Sequence, residues 1–353
     1  LAVILSPNDY RYWMELGRSL EASGDIAGSE KALRRSVELA PNYSHPRWHY
    51  GNVLVREGKT DEGFVQLARA AEADLQMRPP VFNLAWQVFD GDVDKIAAAA
   101  CPSVAMRIEF ATYLVNRSKV DEAMRVWRTI NPAERKAERD LDETFKTALM
   151  QSKHYRAVFE IMRETNADPN GPVPEQFWNG GFETDIQPTS AKSFYWTIDT
   201  TPQARIGVDT TAHSGQGSLR IVFKAPNKLD TIAVAQAIVV NPDTQYHFEC
   251  YVRTQDLTSG ATPSVTINDA ASDGVLVKST PVPTGTNDWQ RITLDFKTGP
   301  KSDGIVVKLT RAACGDDQVC PIFGTIWYDD FSLQSRGVGS SDASSRSATS
   351  EKR

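Results

Sequence analysis

Along the chain the spacing of hydrophobic positions changes period once. In the first half Trp13, Leu16, Gly17 and Leu20 keep the spacing of one helix face, Gly24 makes a turn, and Ile26 to Leu39 supply a second helical run that Pro41 stops. A helix, a turn and a helix are predicted. The unit recurs after 34 residues: Gly17 aligns with Gly51, Leu20 with Leu54, Gly24 with Gly58 and Leu33 with Leu67. Farther on, Ser118-Lys119, Ala123 and Trp127 align with Ser152-Lys153, Ala157 and Ile161, and the third unit is shortened around Asp90 to Asp94. After Arg163 the stretch Asn166 to Pro174 cannot continue a helix, because its prolines lack a donor and fix the backbone. Beyond it the period is two: Leu219, Ile221 and Phe223; Tyr246, Phe248, Cys250 and Val252; Val265 and Ile267; Ile292, Leu294 and Phe296; Ile305, Val307 and Leu309; Trp327, Asp329, Phe331 and Leu333. Many short strands separated by Gly, Pro, Asn and Asp predict an antiparallel sandwich. The expected organisation is helical repeats over 1–165, a Pro-rich linker over 166–175, a β-sandwich over 176–335 and a disordered tail over 336–353.

The residues Trp13, Leu16-Gly17, Leu20, Gly24, Leu33 and Pro41 resemble the tetratricopeptide signature. Departures are Ser29 and Gly63, where that family usually has alanine, and the last two units, which lack the leucine-glycine pair. Leu1 to Pro7 reads as the close of a preceding, truncated unit. The resemblance implies an all-α solenoid of about four and a half hairpins that holds a protein or peptide partner in a concave groove. Tyr12, Trp48, His49, Asn52, Asn83 and Gln87 fall on first helices at positions that suit such a groove, although aromatics at helical spacing equally suit a core.

In the second half the landmarks are ordered. Asn179-Gly180-Gly181-Phe182-Glu183 opens it, Trp196 follows, then His213-Ser214-Gly215-Gln216-Gly217, Tyr246 to Arg253, Asp288-Trp289 and the closing Tyr328-Asp329-Asp330-Phe331. This set resembles carbohydrate-binding modules of families four and nine and their galactose-binding-like jelly-roll relatives, over about 160 residues. The resemblance implies a structural calcium joining the first and last strands, with Glu183, Asp329 and Asp330 as the matching positions. It also implies a sugar-binding sheet. Recognition of a pyranose needs aromatic faces and planar polar groups. Opposite the core set of one strand lie His247, Glu249, Tyr251 and Arg253, with Asn268 expected from the neighbouring strand. The alternative is a solvated face, since alternation forces polar residues to one side whether or not anything binds.

Composition narrows the function. The net charge of -6 comes with both signs interspersed, so no basic stripe exists to neutralise a phosphate backbone. No apolar run is long enough for a membrane span, and Leu1 to Leu5 lacks the flanks of a signal peptide. Cys314 and Cys320 bracket a short polar loop that suits a local disulfide, which would favour an extracytoplasmic compartment such as the periplasm or cell envelope. Zinc would need more ligands than His45, His49 and two isolated cysteines supply. Nucleophile elbows, phosphate loops and zinc-protease helices are absent from the sequence, and although Glu249 and Asp295 can be nominated from opposite strands for glycoside hydrolysis, nothing in their spacing requires it. The expected function is a non-enzymatic adaptor joining a protein partner to a glycan, suited to cell-envelope or exopolysaccharide assembly. The alternatives are a protein scaffold with a purely structural jelly roll and an accessory subunit of a glycoside hydrolase.

Overall fold

The computed structural model describes residues 2–165, 168–186, 193–198, 201–226, 231–312 and 320–336. It shows an N-terminal helical region followed by a sandwich of two antiparallel sheets, divided by contacts into two compact units, Leu1–Ser152 and Lys153–Arg353.

The first unit holds α1 (Ala2–Leu5), α2 (Tyr10–Ala22), α3 (Ile26–Leu39), α4 (Ser44–Arg56), α5 (Thr60–Ala73), α6 (Arg78–Val88), α7 (Val93–Ala100), α8 (Val104–Asn116), α9 (Val120–Arg128), α10 (Pro132–Ala137) and α11 (Arg139–Gln151). Side chains of Asp9, Asp25, Asp92 and Ser103 accept from the first free N–H groups of α2, α3, α7 and α8. The turns repeat too. Gly24 and Gly58 sit at φ 86° and 79°, which glycine adopts without a Cβ clash, and Ser118 holds the equivalent place at φ 59°. Each lets the next N–H reach back five residues: Asp25 to the Leu20 carbonyl, Lys59 to Leu54 and Lys119 to Leu114, all at 2.9 Å.

The 34-residue register becomes a repeated close approach. A Cβ on Gly17 would lie 2.5 Å from Leu33 Cγ, and one on Gly51 would lie 2.7 Å from Leu67 Cγ and 2.8 Å from the Gly63 carbonyl. Shortening of the third unit is mostly not where the sequence suggested. Gly91 follows Gly58 by 33 residues, so Asp90 to Asp94 loses one; the larger loss is in α7, which stops at Ala100 because Cys101 precedes Pro102.

Between neighbouring hairpins, Glu30 of α3 is largely buried; it accepts from Lys59 Nζ at 2.9 Å and pairs with Arg34. The Lys59 bond, then Arg34, holds its carboxyl below the usual range against burial. A depressed folded value stabilises above the unfolded one, near 4.3, and that stability is lost as pH falls through the folded value. Glu30→Gln should therefore destabilise this unit by about 1 kcal/mol at pH 7, discounted for the exposed lysine. In denaturant titrations across pH the difference from wild type should shrink as pH falls from the unfolded value through the lowered folded one.

The second unit starts with α12 (Tyr155–Thr165) and continues through β1 (Thr197–Ile198), β2 (Ala204–Asp209), β3 (Ser218–Ala225), β4 (Thr231–Val239), β5 (Gln245–Ser259), β6 (Pro263–Asp269), β7 (Val275–Lys278), β8 (Gly285–Lys297), β9 (Gly304–Arg311) and β10 (Ile322–Arg336). The sheets run β1-β4-β9-β6-β7 and β2-β3-β10-β5-β8. Leu219, Ile221, Tyr246, Phe248 and Cys250 of one sheet pack on Val234, Val265, Ile267 and Val307 of the other. Trp196, 2% exposed, closes the end of this core with ring contacts to Phe182 at 5.2 Å and Phe331 at 5.0 Å.

Two local results depart from the sequence pattern. Trp327, Asp329 and Phe331 do not share a side: Ile326 and Tyr328 enter the core, and only after a register shift between Asp329 and Ser332 do Phe331 and Leu333 do so. Asp330, at φ 53°, sits in that shift and resets the alternation. Secondly, α12 packs on the sandwich. Asp303 accepts from the Tyr155 and Arg156 N–H groups at 3.3 and 3.1 Å, Arg156 donates to the Val240 carbonyl at 2.9 Å, and Phe159 meets Phe194 edge-on at 5.6 Å. The Pro-rich stretch is pinned as well, with Glu175 N–H on the Val239 carbonyl and the Tyr246 hydroxyl on Glu175. Cys101 and Cys250 are buried and free. Cys314 lies outside the described residues, as does the tail beyond Arg336, so the expected bridge to Cys320 and the expected tail fall there.

Candidate functional site

Alternation along β5 sends Tyr246, Phe248, Cys250 and Val252 inward and leaves His247, Glu249, Tyr251 and Arg253 half-buried on the outer face of its sheet. Cross-strand partners on β8 are Asp295 beside His247, Thr293 beside Glu249 and Arg291 beside Tyr251; on β10 Trp327 faces Arg253. The row is wired by charge. His247 Nδ1 lies 2.8 Å from Asp295 Oδ1, Arg336 approaches the same carboxylate at 3.4 Å, and Arg291 lies 3.6 Å from Glu249. The His247 bond, then Arg336, holds Asp295 below the usual carboxylate range.

Asn268 does not join the row, contrary to its sequence placement. Its strand, β6, pairs with β7 and β9 in the other sheet, whereas the neighbours of β5 are β10 and β8. There Asn268 is 7% exposed and donates to the Asp273 carbonyl at 2.8 Å.

What the sequence missed on this face is a set of residues that only strand order brings together. Register places Gly207, Arg220, Trp327 and Arg253 in one line across β2, β3, β10 and β5. Trp327 is 5% exposed; its Nε1 donates to Asp209 Oδ2 at 2.7 Å, and the guanidinium carbons of Arg220 and Arg253 lie 5.7 and 5.8 Å from its ring. His213 covers Tyr251, with ring centroids 3.7 Å apart and planes at 14°, and meets Trp289 edge-on at 5.6 Å. The one sequence signal was period two at Trp327, concealed by continuing the alternation through the bulge.

Glu183, Asp329 and Asp330 converge on the turn from His213 to Gln216. Asp329 is fully buried and accepts from three backbone N–H groups, those of His213, Ser214 and Asp330, at 2.7, 3.2 and 2.7 Å. Burial pushes its carboxyl above the usual range, against the pull of those donors. Asp330 takes the His213 ring nitrogen at 2.7 Å and the Ser214 hydroxyl at 2.6 Å, and Glu183 takes the Gln216 N–H at 3.0 Å. Side chains at Gly215 and Gly217 would strike Glu183 and the Phe182 carbonyl, so glycine is what lets this turn close. Among the described residues no three His, Cys, Asp or Glu side chains are gathered as a metal site, and these carboxylates spend their lone pairs on N–H and O–H donors.

Glu249 and Asp295 stand diagonally on one face of adjacent strands, and Asp295 is shifted toward ionisation rather than toward a general acid. On the helical unit Tyr12, Asn83 and Gln87 are exposed, while Trp48, His49 and Asn52 are half-buried on α4. Burial, with Arg18 nearby, holds His49 below its usual value. Asn83 accepts from the Tyr113 hydroxyl at 2.9 Å and from Arg117, whose guanidinium lies over both Trp86 and Tyr113. Beside them a cavity of about 340 Å³ opens between α6, α8 and α11, lined by Phe82, Tyr113 and Leu141 among others. Another concavity, of about 370 Å³, lies against β2 between Ile186, Ile198 and Lys224, away from the charged row.

No protein-family model and no curated protein matches the chain. Among solved structures, carbohydrate-binding modules match the C-terminal β region. A structure described as CBM4 structure and function is 17% identical, covering 45% of this chain and 99% of that one with a TM-score of 0.35. The CBM22-1 xylan-binding domain from Paenibacillus barcinonensis Xyn10C is 12% identical, covering 47% and 97% with a TM-score of 0.30. TmCBM61, solved with β-1,4-galactotriose, is 14% identical, covering 45% and 96% with a TM-score of 0.30.

Proposed function

We propose that the chain is a non-enzymatic two-part binder, whose sandwich holds a glycan on the outer face of the β5 sheet and whose helices hold a protein or peptide. The observation that carries the glycan reading is the single face on which His247, Glu249, Tyr251 and Arg253 stand beside Trp289, Arg291 and Trp327. Planar polar groups and aromatic rings at strand spacing are the chemistry that saccharide recognition uses. Hydrolysis has no support in the disposition of Glu249 and Asp295. A glycan array probed with the full chain tests this reading. Saturable binding, reduced at least tenfold in Tyr251→Ala at an unchanged melting midpoint, supports it; a blank array sinks it.

The helical part of the proposal rests on tetratricopeptide-like hairpins and on the cavity between α6, α8 and α11. A partner captured by the wild type and lost on Asn83→Ala with Tyr113→Ala would support it. Work at the cell envelope, a Cys314–Cys320 bridge and a structural calcium near Glu183, Asp329 and Asp330 belong to the same proposal. If calcium binds the folded state alone, chelation lowers the melting temperature and added calcium restores it. A melt indifferent to both, with no metal by elemental analysis, removes the ion from the proposal.

A further inference from the structure

The aromatic surfaces of the proposed glycan face are largely spoken for. Trp327 is 5% exposed beneath the guanidiniums of Arg220 and Arg253, and one face of Tyr251 lies under His213. A neutral pyranose, which depends on open ring faces, therefore finds little to stack on here. What the face does present is charge that is mostly paired, with one guanidinium left over. Its carboxylates are engaged: Asp209 by Trp327 and Arg220, Asp295 by His247 and Arg336, Asp330 by His213 and Ser214, and Glu249 by Arg291 at 3.6 Å. Arg253, on β5 between β10 and the edge strand β8, has no carboxylate partner among the described residues; its ring contact is Trp327. A guanidinium set 5.8 Å from an indole ring and left unneutralised is available to a planar bidentate anion.

Spacing adds a constraint. Arg220 and Arg253 stand on either side of β10, two strand spacings or about 10 Å apart, and Arg291 lies one strand beyond Arg253. A single small anion cannot reach all three, whereas an extended chain carrying a carboxylate at intervals can. Resting on the glycan reading above, we propose that the β5 face selects an acidic polysaccharide of the polyuronate class, with Arg253 as its central carboxylate ligand and Arg220 and Arg291 flanking it. Trp327, fixed by Asp209, is a positioning residue for the two arginines it carries.

The test is titration of the full chain with polygalacturonate, polymannuronate and polyglucuronate, each beside its carboxyl-reduced neutral form and beside polyglutamate. At least one polyuronate should bind ten times or more tightly than its reduced form and than polyglutamate, and binding should weaken as salt is raised. Arg253→Gln should lose tenfold or more and Arg253→Lys should retain part of the affinity, both at an unchanged melting midpoint. Equal binding of reduced and native forms, equal binding of polyglutamate, or an Arg253→Gln chain that binds like wild type would overturn the proposal. If neutral array glycans bind at the Tyr251 face while no polyuronate does, the acidic preference fails and the glycan reading stands; if no saccharide binds, both fail.

Discussion

Gly51→Leu should unfold much of the helical unit's stability. The Cβ it introduces would meet Leu67 Cγ at 2.7 Å and, more seriously, the Gly63 carbonyl at 2.8 Å, a backbone atom that cannot rotate aside. Gly63 is pinned in turn, since its own Cβ would lie 2.9 Å from the Gly51 carbonyl, so neither α4 nor α5 can give without parting. Overpacking costs about 1 to 3 kcal/mol where a core can adjust, and a backbone wall places this substitution at the upper end or above it. For a unit of this size that is a fall of about 10 °C in melting midpoint. Gly28→Ala is the contrast. Its Cβ meets the capping carboxylate of Asp25, an end group able to move, and the loss should be confined to a cap worth about 1 kcal/mol. Equal midpoints for Gly51→Leu and wild type would mean the 34-residue register does not describe the packing.

Where the chain is cut should matter as much. A chain starting at Lys153 keeps α12, with its N-terminal amides on Asp303, Arg156 on Val240 and Asn241, and Phe159 against Phe194. A chain starting at Gln176 loses all of these and uncovers Gly304, which Tyr155 overlies. Loss of one buried aromatic and one charged helix cap together amounts to about 3 kcal/mol or more. Thermal melts of the two fragments should therefore differ by about 10 °C in favour of the longer one. Identical melts would show that α12 contributes nothing to the sandwich.

Local chemistry explains which parts of this were legible in the sequence. Gly17, Gly51, Gly24 and Gly58 announce the hairpins because a close helix contact and a left-handed turn each require a residue without a Cβ at a fixed interval. His247, Glu249, Tyr251 and Arg253 were readable as one face because alternation along a single strand needs no knowledge of its neighbours. Asn268 was misplaced for the complementary reason: whether β6 or β10 lies beside β5 is settled by the order of strands across the sandwich, which no local window contains. The same limit hid Arg220, Trp327 and the His213 ring over Tyr251, contacts that span about 40 to over 100 residues of sequence. Asp330 shows a third kind of loss, in which a single residue at φ 53° resets the period and sends Trp327 outward and Phe331 inward. The proline stretch correctly marked the end of helix, but proline reports where hydrogen bonding stops, not which unit the preceding helix packs on.

The glycan-binding face is the central claim, and a paired calorimetric titration tests it most directly. The full chain would be titrated with whichever saccharide leads the array, beside the double substitution Tyr251→Ala with Arg253→Gln on the sheet face and Tyr113→Ala on the helical unit. We expect saturable binding in the wild type, an unchanged constant in Tyr113→Ala, and loss of at least a hundredfold in the double variant with its melting midpoint preserved. Full retention of affinity in the double variant, or no saturable heat with any saccharide, would contradict the account.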